Sequence, residues 1–395
     1  MKILFLANRV PYPPFRGDKL KIFNLAKRLY PHHELHLLTF AQSEEDWTFA
    51  DELKKIFTSV QFVDLPKWKS ALNCVAGVFD KIPFQVHYFR SKEMTTALNN
   101  LLAQEQFDVV HVQHLRMAQY CENISDIPRI LDLPDAFSLY WQRKQANTKN
   151  PILRFFENLE QRRVYKYEQI LAKYNLSLVC SAEDKSYLKK EHSLNNISLL
   201  PNGVDTGNFF PRPHDYSHNT TLLFTGNMDY GPNIDAVVYF AESILPLVQK
   251  QFPAVEFVIA GQRPIPKVTD LANEKVKVTG FIPNLADKYN EASVVVAPLR
   301  FGAGTQNKVL EAMAMGVPVV CSNIGFEGLG IKSGEGAIMQ TNPEEFAKSI
   351  IDLLSSEEMR KKVGEQGVAV IQNKFSWDII ARQLEAYFQT LAASV

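Results

Sequence analysis

The chain has 395 residues, 46% of them hydrophobic and 22% charged, and its 43 Lys+Arg balance 43 Asp+Glu to a formal charge of zero. That length exceeds what one hydrophobic core serves, so two domains are expected, and the even charge gives no footprint for a nucleic-acid partner. Cys74, Cys121, Cys180 and Cys321 lie far apart, with no CxxC and no histidine at metal-ligand spacing, which argues against a structural zinc and fits a reducing cytoplasm.

The amino terminus, MKILFLANRVPYPPFRGD, has an apolar stretch of only Ile3 to Ala7, too short for the core of a signal peptide and suited to a buried first strand. Further strands are predicted at 34–40, 60–65, 108–112, 129–133, 176–181 and 197–200. The clearest helices cover Asp18 to Tyr30, Ser91 to Gln104 and about Ile152 to Tyr174. Short apolar runs alternating with amphipathic stretches describe a parallel sheet with crossover helices on both faces. After the polar, proline-bearing segment 209–221 the pattern restarts, with strands at 221–226, 255–261, 276–281, 293–299, 317–322 and 337–340 and helices opened by Pro232, Asn284 and Pro343. The boundary therefore falls at 205 to 219, between two doubly wound α/β domains, 1–205 and 219–374. The segment 375–391 reads as a final helix capped by Ser376, with an apolar stripe at Ile379, Ile380, Leu384 and Phe388 that suits packing on the second domain. No segment approaches the ~20 apolar residues that cross a bilayer, so any membrane association is expected to be peripheral.

The strongest local signal is APLRFGAGTQNKVLEAMAMGVPVVCS at 297–322: a strand ending at Pro298, a turn with Gly302 and Gly304, a helix from about Thr305 and a stop at Gly316. In an open parallel sheet such a turn lies at the carboxyl edge, where ligands bind. Free amides at a helix start, beside glycines that allow close backbone approach, suit a phosphate. Lys308 and Glu311 share a helix face, so a cation for a diphosphate stands beside a carboxylate for ribose hydroxyls. The same spacing also fits an exposed salt bridge worth under about 1 kcal/mol.

At this point the chain resembles a known family. NKVLEAMAMGVPVV (307–320), with LPNGVD (200–205), FTGNMDYGPNIDAV (224–237), VTGFIPNLADKYNEASVVVAPL (278–299) and FSW near the end, resembles retaining GT-B glycosyltransferases of family 4. The PLRxGxGxxNKVLEAM pattern is similar to that of bacterial polysaccharide-type members. The resemblance implies two Rossmann-like domains facing each other across a cleft, the first, with the terminal helix 375–395, on the acceptor side and the second binding the nucleotide-sugar. It implies transfer of a sugar, with retained anomeric configuration, from a nucleoside diphosphate to a hydroxyl of a glycan or lipid-linked acceptor. A UDP-sugar is favoured over a GDP-sugar, and no cofactor is expected. The chain also shows no DxD-like carboxylate pair to hold a divalent cation, so metal-independent transfer is expected. By this resemblance Glu311 binds the ribose, the backbone around Gly304 and Thr305 cradles the diphosphate, and Asn227 lies on the donor. Gly17 in YPPFRGD (12–18) matches a glycine loop under the diphosphate and sugar, and His114, just past the strand DVVHV, matches a histidine near the transferred sugar.

The departures from the family pattern bear on the chemistry. The first of two glutamates common in the family falls at Ala303, and an Arg and a Lys after the FTG-like strand are replaced by Asn227 and Asn233. Lys308 and Arg300 are then left to stabilise charge on the departing diphosphate. Asp18 stands where a second glycine is usual. A nucleotide-sugar epimerase and a non-catalytic nucleotide-sugar-binding subunit are the alternative readings. His111, alternating with apolar neighbours, reads as a core histidine, while Asp132 and Asp135 read as solvated loop carboxylates or as lining of an acceptor pocket. Trp68, Phe79, Phe84, Tyr88 and Phe89 alternate with Lys67, Lys69, Lys81, Arg90 and Lys92, and a second basic stretch runs from Arg143 to Lys166. Basic charge beside aromatic rings suits a face on anionic lipid at the inner plasma membrane, and equally suits solvated helix faces.

Overall fold

The computed structural model describes residues 1–15, 17–212, 216, 220–302 and 304–393. The chain divides into two compact units, Met1–Pro201 with Ile380–Val395, and Asn202–Ile379. The first holds a seven-stranded sheet built from β1 (Lys2–Ala7), β2 (Glu34–Ala41), β3 (Ser59–Asp64), β4 (Val109–Gln113), β5 (Arg129–Asp132), β6 (Leu176–Val179) and β7 (Ile197–Leu199), in the order β3-β2-β1-β4-β5-β6-β7. The second holds β8 (Thr221–Thr225), β9 (Glu256–Ala260), β10 (Val276–Gly280), β11 (Val294–Ala297), β12 (Val319–Cys321) and β13 (Ala337–Met339), in the order β10-β9-β8-β11-β12-β13. Every strand pair is parallel. This is the GT-B arrangement of two Rossmann-like sheets that the resemblance implied.

Helices cover both faces of each sheet, so the central strands read as continuous apolar runs. Ile3 to Ala7, all of β4 and all of β11 are buried. The first core gathers Leu4, Leu38, Phe40, Val110, Leu131 and Val179, and the second gathers Phe224, Phe240, Phe257, Ile259, Val296 and Ile350. In each sheet the strand order reverses beside the unit's first strand, between β1 and β4 and between β8 and β11. The loops leaving the carboxyl ends of those neighbours part there and leave room for a ligand.

The structure shifts several predicted bounds. The helix expected from about Thr305 begins at Asn307, with Gln306 as its cap, so Thr305 stays in the loop. The stretch expected as one helix to Tyr174 is an α-helix over Pro151–Tyr167 followed by a 3-10 turn over Glu168–Lys173. The chain enters the second unit after Pro201, where Val204 N donates to Phe375 O at 2.7 Å. Ser376 Oγ accepts from Ile379 N at 3.3 Å and caps the helix Trp377–Ala392. That helix does not pack on the second unit alone. Phe388 lies edge-on to Phe5 at 6.5 Å and to His111 at 6.0 Å, and Gln383 and Tyr387 donate to Leu199 O at 2.9 and 3.0 Å, all within the first unit. No helix among the described residues is long and apolar enough to cross a membrane.

Candidate active site

In the second unit, β8 ends at Thr225 and the backbone turns through Gly226, at φ 152°. The backbones after β8 and β9 pass in contact here: a Cβ on Gly261 would lie 1.7 Å from Gly226 O, and one on Gly226 would lie 2.5 Å from Asn233 Nδ2. Glycine is required at both places, and the close approach holds Asn233 at the start of the helix Gly231–Tyr239. Asn233 Nδ2 donates to Asn227 O at 3.0 Å, and Gln262 Nε2 donates to Asn227 Oδ1 at 2.8 Å. Asn233 Oδ1 accepts from Lys308 Nζ at 3.1 Å.

Lys308 stands in the first turn of the helix Asn307–Ala314, which follows the loop from β11 through Gly302 at φ 143° and Gly304 at φ 70°. Ala303, where the family glutamate would fall, lies outside the described residues. Thr305 is buried beside this turn. The Lys308 ammonium also reaches Gln306 Oε1 at 3.4 Å and sits 5.1 Å from the centre of the Phe224 ring. All three neighbours are neutral, and burial lowers the lysine pKa to about 8 while the charge of Glu311 opposes the shift. Glu311, half-buried on the same helix face, accepts from Tyr289 Oη at 2.8 Å, and that hydroxyl meets Thr225 Oγ1 at 2.7 Å. Burial raises Glu311 to about 7, with Tyr289 and Lys308 pulling the other way, and raises Tyr289 so far that it stays a donor. Lys308 and Glu311 are therefore not the exposed salt bridge that spacing alone also allowed. They are a cation and a carboxylate each held by a neutral partner, and among the described residues neither makes an ion pair.

Arg300 is placed differently. Its guanidinium grips Asp235 through Nε at 2.8 Å and through Nη2, and it stacks 4.6 Å from the Tyr239 ring. It ties the loop after β11 to the helix Gly231–Tyr239, with its charge matched by that carboxylate.

In the first unit, Gly17 opens the helix Gly17–Leu29 at the carboxyl end of β1, and Arg16 of the same loop lies outside the described residues. Asp18 is held by Arg9 Nη1 at 3.4 Å, and its carbonyl accepts from Gln113 Nε2 at 2.5 Å. His114 follows β4 at φ 79° and ψ 141°, a conformation that costs a side chain of this size about 1–3 kcal/mol. Its N–H donates to Asp132 O at 2.8 Å, its ring packs 4.5 Å from Phe137, and Nδ1 accepts from Arg116 N at 3.4 Å. Burial, with Arg116 and Arg9 nearby, pushes its pKa well below the usual value, so the imidazole is neutral.

Two expectations are corrected here. Asp132 is not a solvated loop carboxylate: it is 1% exposed and bonds Lys21 Nζ at 2.6 Å, and Lys21 also donates to Leu200 O at 3.0 Å. His111 faces the same carboxylate, its Nε2 3.4 Å from Asp132 Oδ2. Asp135 is partly buried and raised to about 7, by desolvation and by the nearby Asp184. Sequence reasoning missed Lys21, Gln262 and Tyr289. Lys21 could have been found as a charge beside Ile22, Leu25 and Ala26 on the apolar face of its helix. Among the described residues no group of three or more His, Cys, Asp or Glu side chains could hold a metal ion.

Residues 219–356 match the family model described as glycosyl transferases group 1. Over 390 residues the chain is 23% identical to an uncharacterised 44.6 kDa protein in the cps region of Klebsiella pneumoniae, covering 95% of this chain and 96% of that protein. Among solved structures, sucrose-phosphate synthase from Thermosynechococcus elongatus superposes with a TM-score of 0.73 at 16% identity, covering 100% of both chains. HepE of Anabaena, solved in complex with UDP-glucose, superposes with a TM-score of 0.70 at 15% identity, over 99% of this chain and 100% of that one. The matched segment contains the whole Asn227, Asn233, Lys308 and Glu311 cluster, so the second unit is similar to group 1 glycosyl transferases, and the chain as a whole has the GT-B fold.

Proposed function

We propose that the protein is a retaining, metal-independent glycosyltransferase, of hexosyltransferase type, that moves a sugar from a nucleoside diphosphate, preferably UDP, to a hydroxyl of a glycan or lipid-linked acceptor in bacterial polysaccharide assembly. The observation that carries this reading is the buried Lys308 ammonium and the half-buried Glu311 carboxylate, each held by its own neutral partner, at the strand-order reversal of the second sheet. Glu311 accepts ribose hydroxyls while Tyr289 fixes its orientation. The amides around Gly304 and Thr305 hold the diphosphate, and Asn227, positioned by Gln262, adds a polar contact. Lys308 faces the charge that grows on the diphosphate as the glycosidic bond breaks, where an ammonium already stripped of water acts with little reorganisation. Arg300 serves beside it as an anchor of the loop. In the first unit, Gly17 and His114 are the residues that the family resemblance assigns to the sugar, with His114 a neutral hydrogen-bonding group. Support for UDP comes from HepE, solved with UDP-glucose.

The test is incubation with UDP- and GDP-sugars, with and without glycan acceptors, following nucleotide release and the anomeric configuration of the product. Acceptor-dependent UDP release with a retained anomer is expected. Free sugar and UDP without acceptor would identify an epimerase or hydrolase, and saturable nucleotide binding without release would identify a binding subunit.

A further inference from the structure

The helix Lys67–Ala76 is built inside out. Its inner side is small or polar: Ser70 is buried, Asn73 Nδ2 donates to Arg90 O at 2.8 Å, and Cys74 Sγ donates to Phe84 O at 3.6 Å. Gly77, which ends the helix, lies so close to His87 that a Cβ would stand 2.4 Å from the imidazole Cδ2. The apolar stripe is on the other side. Trp68, Leu72, Val75 and Phe79, at helical spacing, are 66, 59, 68 and 98% exposed. A helix packed on a core turns such a stripe inward.

A second exposed apolar group lies on the helix Pro151–Tyr167. Ile152, Leu153, Phe155 and Phe156, in the first two turns of the helix Pro151–Tyr167, are all more than half exposed. Farther along the same helix, Glu160 accepts from Phe84 N at 3.1 Å, and Arg163 donates to Val78 O at 2.5 Å and stacks 4.5 Å from the Phe84 ring. The turn carrying Phe79 is thus fastened to this helix, about 16 Å along its axis from Ile152.

The charge around these side chains is one-sided. Segments 66–82 and 141–156 contain Lys67, Lys69, Lys81, Arg143, Lys144, Lys149 and Arg154 against Asp80 alone, in a chain whose totals balance. Lys69 and Lys144 pair with Glu93 and Glu157, whereas Lys67, Lys81, Lys149 and Arg154 are exposed and make no ion pair among the described residues. Projecting apolar side chains that share their segments with exposed, unpaired cations match a bilayer bearing anionic headgroups, with the rings at the acyl boundary and the cations at the phosphates.

We infer that the surface formed by Trp68, Leu72, Val75, Phe79 and Ile152 to Phe156 docks the first unit onto an anionic phospholipid bilayer. This goes beyond the proposed reaction and does not depend on it. The experiment is co-sedimentation of the full chain with vesicles of phosphatidylcholine alone and of phosphatidylcholine with phosphatidylglycerol. Binding is expected only to the second kind, with a blue shift of Trp68 emission and release by high salt. One cation near such a surface contributes about fivefold in partition, so combining Lys67→Gln, Lys81→Gln and Arg154→Gln should lower it about 10²-fold. Leu72→Ser with Phe79→Ser should abolish binding while the nucleotide-induced thermal shift is unchanged, since neither side chain belongs to the core. Failure of the wild type to sediment with anionic vesicles, or undiminished binding by the double serine variant, would overturn the inference. So would a wild-type dimer that this variant dissociates, which would assign the surface to a second copy of the chain.

Discussion

Replacing Lys308 by methionine should make the protein more stable and less active. The side chain is buried, and its pKa falls from the ordinary 10.5 to about 8 because burial penalises the ammonium more than Glu311 supports it. That displacement corresponds to about 3 kcal/mol held against folding at neutral pH. Methionine keeps the stem and drops the charge, but it leaves Asn233 Oδ1 without its donor, which costs about 1 kcal/mol. A net gain of about 1–2 kcal/mol in urea unfolding is therefore expected by this reasoning. Turnover should move the other way. Losing one electrostatic contact to a developing anion typically costs about 10²–10³ in rate, so a loss of at least about 10²-fold is expected with nucleotide still bound. The pH dependence carries the same sign. Between about pH 8 and 10.5 the unfolded chain binds more protons at this residue than the folded one, so wild-type stability gains a rising contribution across that window, absent in Lys308→Met. Urea unfolding at both ends of the window, with steady-state donor kinetics, measures all three effects. A variant less stable than wild type with unchanged turnover would refute the reasoning, and a dead Arg300→Met beside an active Lys308→Met would move the leaving-group role to Arg300.

For Glu311→Gln the donor Michaelis constant should rise about tenfold with turnover nearly unchanged, because ribose contacts are alike in ground and transition states. Unchanged donor kinetics in the folded variant would reduce Glu311 to a helix-face carboxylate. With Glu311 ionised above about 7 and Lys308 protonated below about 8, kcat/KM for the donor should peak between those values, and a flat profile would contradict the pairing. His114 is held neutral, so the acid limb should survive in His114→Gln; its disappearance would assign that proton to the imidazole. A Cβ on Gly203 would lie 2.6 Å from Trp377 Cδ2, so Gly203→Ala should cost about 1–3 kcal/mol and be relieved by Trp377→Leu, read as melting temperature. Activity should persist in EDTA, and its complete loss with recovery on adding manganese would defeat the metal-independent reading.

Much of the architecture was legible along the chain because it is local. Each apolar run named as a strand overlaps one, Ser91 and Ser376 cap the helices they were expected to open, and the glycines after β11 sit at positive φ where the turn needs them. Helical spacing also put Lys308 and Glu311 on one face. It did not say whether that face was wet, and that decides their chemistry. Lys308 meets Asn233 from 75 residues away, Glu311 meets Tyr289 from 22 away, and Asp132 meets Lys21 from 111 away. Arg300, which spacing set beside the glycine turn as a free cation, is bound to Asp235, and His114 takes a backbone conformation that its sequence neighbours do not foretell. Periodicity records which side of an element is apolar, since each residue's own hydration sets that pattern. The partners of a charge depend on which loops the strand order gathers at one sheet edge, and only the folded chain brings those distant residues within hydrogen-bonding reach.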